Sequence, residues 1–298
     1  MLASLLAALV SAICYGVASV LQAIAVRAAS RRTGGRRPAV DPGLLIRMLR
    51  QGPFLVSIII DLIGFAAQLV ALRRLPLFAV QAIVASNLAV TAVLAAWLMK
   101  ARLTRRDWLA VVGIVAGVGL LGASSGGQGA TRVGTAFQIG LIVAIAVVGV
   151  AGFAASALRG RARTPVLGAI AGFGYAVLAV AARTLPGLSL ADLVRSAAAY
   201  TLVAAGIMSF MLYAAALDGG SVTTATAGVV LAETLPPAVV GVAFLGDVAR
   251  PGLAALGMLG FALAVVCAVT LARFGEGGEE HQEGRAAGPA GLGEAAGR

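Results

Sequence analysis

The sequence predicts an all-α, polytopic membrane protein with about nine transmembrane helices, and three observations support this prediction. First, 60% of the 298 residues are hydrophobic and 12% are charged, against a charged share of about 25% in soluble domains. Second, the stretches 1–26, 75–99 and 133–158 contain no charged residue, and each exceeds the ~18 apolar residues that can span a bilayer. Third, these stretches lack the alternation of apolar and polar residues that is typical of membrane β-strands, so we expect them to be helices.

The apolar spans are separated by turn-forming residues such as Gly52-Pro53 and Arg250-Pro251. We expect the first span to be a transmembrane helix, because no basic residue precedes it and it is too long for the apolar part of a signal peptide. The nine predicted spans are 2–26, 53–72, 75–99, 108–123, 135–157, 166–183, 197–217, 221–245 and 252–272.

The net charge of +11 does not indicate a nucleic-acid partner, because the basic residues lie between apolar spans and form no folded basic face. With the N-terminus outside, 17 of the 23 Lys and Arg residues fall in inside segments, as the positive-inside rule requires. The sequence therefore predicts an external N-terminus and a cytoplasmic C-terminus in the cell membrane. The basic loop 27–52 is either a solvated loop or an amphipathic helix on the inner leaflet.

The two halves of the chain resemble each other. Residues 14–17 align with 174–177 at an offset of 160, 64–72 with 209–217 at 145, and 108–113 with 252–257 at 144. Because the halves start five crossings apart, they are predicted to be inverted, as in many secondary transporters. The expected organisation is a first transmembrane repeat at 1–124, a linker with a central helix at 125–164, a second repeat at 165–273 and a disordered cytoplasmic tail at 274–298.

Two stretches carry a family resemblance. Residues 71–122, ALRRLPLFAVQAIVASNLAVTAVLAAWLMKARLTRRDWLAVVGIVAGVGLLG, are repeated in form by residues 215–265, AALDGGSVTTATAGVVLAETLPPAVVGVAFLGDVARPGLAALGMLGFALAV. Over roughly residues 1–273 the pattern resembles the drug/metabolite transporter superfamily, particularly its EamA-like branch, and the helix count is similar to the NIPA-type magnesium transporter branch. The EamA-like pattern has an acidic–basic pair before the last helix of each half. Here Lys100-Ala101-Arg102 lacks the acidic member and Asp247 lacks an adjacent basic one.

Two acidic residues lie deep in predicted spans, Asp61 in the second and Glu233 in the eighth. Ionisable groups inside a bilayer are costly, so they are candidates for function. Asn87 lies at the same depth in the third span as Glu233 does in the eighth. In the alignment of the two halves, Asn87 corresponds to the residue beside Glu233. Each carboxylate also has a structural alternative: Asp61 paired with an arginine, and Glu233 bonded to Thr234 or to a neighbouring helix.

Pro236 and Pro237 follow Glu233. Proline lacks an N–H and clashes with the carbonyl four residues back, so the carbonyls of Ala232 and Glu233 are expected to be free. A helix opened beside a mid-membrane carboxylate predicts a cation or substrate site, and a plain proline kink is the alternative. Other polar groups in the spans are expected mainly to form interhelical hydrogen bonds, and the further candidates among them are Thr234, Gln68, Gln81, Tyr15, Tyr175 and Tyr213.

No enzymatic constellation is present in the sequence. His281 is the single histidine, and Cys14 and Cys267 have no metal or redox spacing. We expect no enzyme and no cofactor, and the metal question stays open. The glycine pairs Gly113/Gly117 and Gly168/Gly172 predict close helix packing.

Three hypotheses about function follow. The first is a secondary transporter that moves a small metabolite or drug-like solute by alternating access, coupled to protons or another cation through Asp61 or Glu233. The second is a magnesium or divalent-cation transporter. The third is a non-transporting membrane scaffold or accessory subunit. The expected partners are a small-molecule or ion substrate and the lipid bilayer, with a homodimer left open.

Overall fold

The structure is a computed structural model that describes residues 2–31, 52–98, 104–127, 129, 133–158, 162–187, 189–217 and 222–286. These residues form helices and connecting turns with no strand among them, which confirms the all-α class. The helices are α1 (Leu2–Arg31), α2 (Gly52–Leu72), α3 (Leu77–Ala85), α4 (Asn87–Leu98), α5 (Arg105–Ser124), α6 (Thr135–Ser156), α7 (Arg163–Arg183), α8 (Leu190–Arg195), α9 (Ala197–Leu217), α10 (Val222–Ala243) and α11 (Ala254–Ala286).

Seven segments of the described chain are long and apolar enough to cross a membrane. They lie in α1, α2, α3 with α4, α5, α6, α7 and α9. Two shorter apolar segments, Gly228–Ala243 and Ala254–Thr270, lie where the eighth and ninth spans are predicted. The chain is therefore a multi-pass helical membrane protein, and the count of nine crossings stays a prediction.

The third predicted span is broken into α3 and α4 at Ser86. The Ser86 hydroxyl donates to the carbonyl of Ile83 at 2.6 Å, and the Ser86 amide donates to the same carbonyl at 3.0 Å. A serine side chain that bonds to the preceding turn competes with the helical backbone pattern. The break places Asn87 at the start of α4, in the middle of the combined span Leu77–Leu94.

The predicted glycine pairs lie at close helix contacts. A Cβ built on Gly117 of α5 would lie 2.7 Å from the backbone nitrogen of Ala264 in α11. Cβ atoms on Gly168 and Gly172 of α7 would meet the backbone of α10 in the same way. Only a residue without a side chain lets the backbones approach this closely, so the packing role is confirmed for Gly117, Gly168 and Gly172. A Cβ on Gly113 would instead meet the side chain of Cys267 in α11.

Two buried apolar clusters lie at opposite ends of the bundle. The Leu72 cluster lies where α1 begins and α2 and α7 end, and it includes Ala71, Leu72, Leu77, Val180 and Leu245. The Phe54 cluster lies where α1 ends and α2 and α7 begin, and it includes Ala25, Phe54, Leu167, Leu217 and Ala225. The space between them is at the middle depth of the bundle.

The C-terminal helix is longer than the last predicted span. α11 ends at Ala286 and so includes 274–286, for which a disordered tail is expected. A helix that is already formed extends residue by residue without a new nucleus, and the Glu, Gln, Arg and Ala residues within 276–286 have high helix propensities. Residues 287–298 lie outside the described residues, as do residues 32–51, which hold most of the basic loop.

Candidate functional site

A cavity of about 540 Å³ lies at the middle depth of the bundle. Along α2 its lining runs from Ile58 to Gln68, between the Phe54 cluster and the Leu72 cluster. Helices α1, α2, α4, α7, α9 and α10 contribute lining residues. Their polar members are Tyr15, Ser19, Gln22, Asp61, Gln68, Asn87, Tyr175, Tyr213 and Glu233.

Seven of the ten candidate residues line this cavity, namely Glu233, Asp61, Asn87, Gln68, Tyr213, Tyr15 and Tyr175. The structure thus brings together residues that are up to 218 positions apart, from Tyr15 to Glu233. The remaining three, Thr234, Pro236 and Gln81, are not among the lining residues.

The Asp61 carboxylate is held by an amide. Gln22 Nε2 of α1 donates to Asp61 Oδ2 of α2 at 2.5 Å. The partner in the described part of the chain is therefore not the arginine that sequence reasoning considered. Gln22 stands in the sequence as a polar group within the first span, but nothing in its spacing indicates that it faces Asp61.

Three side chains link the cavity wall to the backbone of α10. The Tyr15 hydroxyl donates to Gln68 Oε1 at 2.7 Å, Gln68 Nε2 donates to Gln81 Oε1 at 3.2 Å, and Gln81 Nε2 donates to the backbone carbonyl of Glu233 at 3.1 Å. The chain of hydrogen bonds joins α1, α2, α3 and α10. Gln81 is therefore buried behind the residues that line the cavity, and it is 1% exposed.

The last bond in this chain explains the prolines. The Glu233 carbonyl would accept from the amide of residue 237 in a regular helix, and Pro237 has no amide hydrogen. Gln81 supplies the missing donor, so α10 stays helical from Val222 to Ala243 with both prolines inside it. Pro237 thus leaves the Glu233 carbonyl without its helical donor, as expected. The opening of the helix beside Glu233 that the two prolines predict is not present, because Gln81 donates to this carbonyl and α10 is continuous through both prolines.

Glu233 is one of the residues that line the cavity. Thr234 is not its partner, because the Thr234 hydroxyl donates to the Val230 carbonyl at 2.6 Å. Asn87 lies on the same cavity at the break between α3 and α4. Its side-chain oxygen is buried and has no hydrogen-bond partner among the described residues. The cavity therefore offers acceptor atoms from three side chains, Asp61, Asn87 and Glu233.

A buried ion pair lies apart from the cavity, at the Leu72-cluster end. Arg183 Nη2 is 3.2 Å from Asp247 Oδ1, and both side chains are fully buried. Asp247 Oδ2 accepts from the Leu77 amide at 2.5 Å and Oδ1 from the Gly129 amide at 2.8 Å. Arg183 also donates to the Leu72 carbonyl at 3.1 Å. These contacts fasten the ends of α2, α3, α7 and α10 to one another.

Sequence reasoning missed this pair. The sequence places Arg183 at the end of the sixth predicted span, 166–183, and shows no basic residue adjacent to Asp247. The basic partner comes from 64 residues earlier in the chain. The signal in the sequence is Gly246, which follows three residues after α10 ends at Ala243. Its φ of +74° lies in the left-handed region that glycine adopts most readily.

The chemistry of the cavity is acidic. Its described lining contains two carboxylates and no lysine or arginine. Among the described residues, no group of three or more His, Cys, Asp or Glu side chains lies close enough together to hold a metal ion. An acidic, mostly apolar cavity in a membrane bundle can accept a proton or bind a cationic group.

Comparison of the chain with protein-family models, with curated proteins and with solved structures finds no match.

Proposed function

We propose that the protein is a secondary transporter that moves a small metabolite or drug-like solute across the cell membrane by alternating access, coupled to protons or another cation. One observation carries this proposal: the cavity holds Asp61 and Glu233 at middle depth and lies between apolar clusters at the two ends. Carboxylates are costly in such a place, and substrate and coupling-ion sites of secondary transporters lie near the bilayer midplane.

The helix contacts support two inverted halves. With Gly228–Ala243 and Ala254–Thr270 taken as the last crossings, the chain has four helices, a central helix and four more. α1 packs on α2 and on the α3–α4 pair, and its counterpart α7 packs on α9 and α10. Counterparts also meet across the halves, α5 with α11 and α3 with α10. This is the pattern expected of two similar units related by a pseudo-two-fold axis in the membrane plane.

The end clusters support alternation. At the repeat offset of 145, residues 71, 72, 80 and 84 of the Leu72 cluster correspond to 216, 217, 225 and 229, all in the Phe54 cluster. Equivalent residues of the two halves thus pack at opposite ends of one cavity. We propose that these clusters are the two gates, and that one loosens while the other stays packed.

We also propose the external N-terminus, the cytoplasmic C-terminus and membership of the drug/metabolite transporter superfamily. The charge distribution supports the orientation. The repeated form of residues 71–122 and 215–265 supports the family.

Uptake by proteoliposomes tests the function. The full chain is reconstituted, and uptake of radiolabelled amines, amino acids, drug-like solutes and Mg²⁺ is measured with and without an imposed pH gradient. The variants are Asp61→Asn and Glu233→Gln. The control is Asp192→Asn, which removes an acidic charge from the exposed end of α8. We expect gradient-dependent accumulation of an organic solute that falls by about tenfold or more in both cavity variants and is unchanged in the control.

Other outcomes favour the alternatives. Transport of Mg²⁺ alone would replace the proposal with a divalent-cation transporter. Transport that is equal in the wild type and both cavity variants would show that the site is elsewhere. Absence of uptake for every solute would favour a scaffold or accessory subunit.

A further inference from the structure

The cavity is open at its side, between α2 and α9. α2 packs along α1, and α9 packs along α7. α2 and α9 meet at Phe54 and Phe210, whose ring centroids are 5.9 Å apart. Farther along the two helices, Leu62, Val203 and Ile207 line the cavity, yet they are 61%, 55% and 60% exposed. Side chains that are both lining and exposed form the mouth of the cavity.

The mouth faces the bilayer. α2 and α9 are both candidate membrane spans over their full lengths, Gly52–Leu72 and Ala197–Leu217. The mouth is bounded at one end by the Phe54–Phe210 contact. At the other end, Leu69 and Leu202 pack against the Leu72 cluster. Between these limits, from Ile58 to Phe65, the gap spans about 10 Å along the helix axis at 1.5 Å per residue. It is therefore at the depth of the lipid tails.

The mouth and the interior differ in chemistry. The mouth carries aliphatic side chains such as Leu62 and Ile207. The interior holds the Asp61 and Glu233 carboxylates and the Asn87 side-chain oxygen, which has no hydrogen-bond partner within the described part of the chain. The lining also includes the aromatic residues Phe65, Phe210, Tyr15, Tyr175 and Tyr213, and aromatic rings attract cations through their faces.

We propose that the cavity binds an amphipathic organic cation, an ammonium group on an apolar body, which reaches it from the bilayer through the opening between α2 and α9. The inference rests on the proposed transport function, for which it names the substrate class and the route. The ammonium group lies against Asp61, Glu233 and Asn87, and the apolar body lies along the mouth. Binding from the lipid leaves both end clusters packed, and release to water follows when one of them loosens.

The substrate class is tested by equilibrium binding to the full chain in lipid nanodiscs at one fixed lipid concentration. The probe is radiolabelled decylammonium, and empty nanodiscs give the partition background. Competitors are methylammonium, which has the charge without the apolar body, and decanoate, which has the body with the opposite charge. We expect saturable binding of the probe. Methylammonium should compete for it at least about tenfold more weakly than unlabelled decylammonium does, because methylammonium buries fewer CH₂ groups. Decanoate should not compete.

The Asp61→Asn/Glu233→Gln double variant should lose the saturable binding. Competition by decanoate as strong as that by unlabelled decylammonium would overturn the cationic class. Saturable binding that survives the double variant would place the probe outside the cavity and would also overturn the proposal.

The route is tested by association kinetics with the same probe. Leu62→Trp fills the mouth, and Leu62→Ala widens it. The matched control is Ile59→Trp, because Ile59 is 58% exposed on the same helix and is not among the lining residues. We expect Leu62→Trp to slow association and dissociation by about tenfold or more while affinity changes less. Leu62→Ala should bind at least as fast as the wild type, and Ile59→Trp should match it.

Equal rates in all three variants would overturn the membrane route. The two proposals fail separately. If uptake requires Asp61 and Glu233 while Leu62→Trp binds and transports as the wild type does, the route is wrong and the transporter stands. If the binding pattern holds while no solute is taken up by proteoliposomes, the binding site stands and the transport function is wrong.

Discussion

Arg183 and Asp247 form a fully buried ion pair, with Arg183 Nη2 3.2 Å from Asp247 Oδ1. The pair joins the end of α7 to the turn after α10, and Asp247 also accepts from the backbone of Leu77 and Gly129. The groups that donate hydrogen bonds to Asp247 come from different parts of the chain. The Asp247 carboxylate thus joins these separate parts of the chain at the Leu72-cluster end of the bundle.

We predict that Asp247→Ala strongly destabilises the protein. The substitution leaves the Arg183 guanidinium buried without its counter-charge, and breaking a buried pair in this way costs about 3–5 kcal/mol. It also removes the acceptor for two backbone amides. Asp247→Asn should cost less, because its amide oxygen can still accept a hydrogen bond. The measurement is the midpoint of thermal unfolding in one detergent.

The control for this prediction is Asp192→Ala, which removes an exposed carboxylate and should change stability by about 1 kcal/mol or less. If Asp247→Ala and Asp192→Ala unfold at the same temperature, the ion pair does not stabilise the fold.

The bond from Gln81 to the Glu233 carbonyl predicts coupling between Gln81 and Pro237. Gln81→Leu removes the donor and should destabilise by about 1–3 kcal/mol, because a buried carbonyl loses its partner. Pro237→Ala restores a backbone N–H four residues after Glu233, which can bond to the same carbonyl. The double variant should therefore lose less unfolding free energy than the two single variants lose together, by about 1 kcal/mol. Additive changes in the unfolding free energy would contradict this explanation of the prolines.

Two glycines of α5 are predicted to differ sharply when each is replaced by alanine. A Cβ on Gly117 would meet the backbone of α11 at 2.7 Å, whereas a Cβ on Gly119 would meet nothing within 4 Å. Gly117→Ala should force the helices apart and destabilise by about 1–3 kcal/mol. Gly119→Ala should stabilise slightly, by up to about 1 kcal/mol, because alanine has the higher helix propensity. Thermal unfolding of both variants measures the difference, and an equal effect would show that α5 and α11 do not meet at Gly117.

The sequence predicts most of the membrane body, because apolar runs and breakers report helix existence directly. It also identifies Asp61 and Glu233 as candidates for function. Charged residues are rare in the spans, and the depth of each one can be counted from the end of its span. Seven of the ten candidate residues line one cavity because polar groups in a bilayer bundle are driven to face the protein interior.

The sequence does not predict which polar groups face each other. The Gln22–Asp61 bond and the hydrogen-bond chain through Gln81 depend on the rotation of each helix about its axis, which an apolar helix does not encode in its periodicity. The break at Ser86 is similarly hidden, because serine is compatible with an unbroken span. The Arg183–Asp247 pair escapes local reasoning because its members lie 64 residues apart and meet through a turn.

Alternating access is tested most directly by the reactivity of two equivalent positions with a membrane-impermeant maleimide. Ala71 and Ala216 are both 0% exposed and lie in the Leu72 and Phe54 clusters. Each is replaced by cysteine in a Cys14→Ala/Cys267→Ala background, and labelling is followed with and without a solute that the uptake assay identifies. Alternating access predicts that the solute raises the labelling rate at one position and lowers it at the other. Labelling rates that rise or fall together, or that the solute leaves unchanged at both positions, would contradict it.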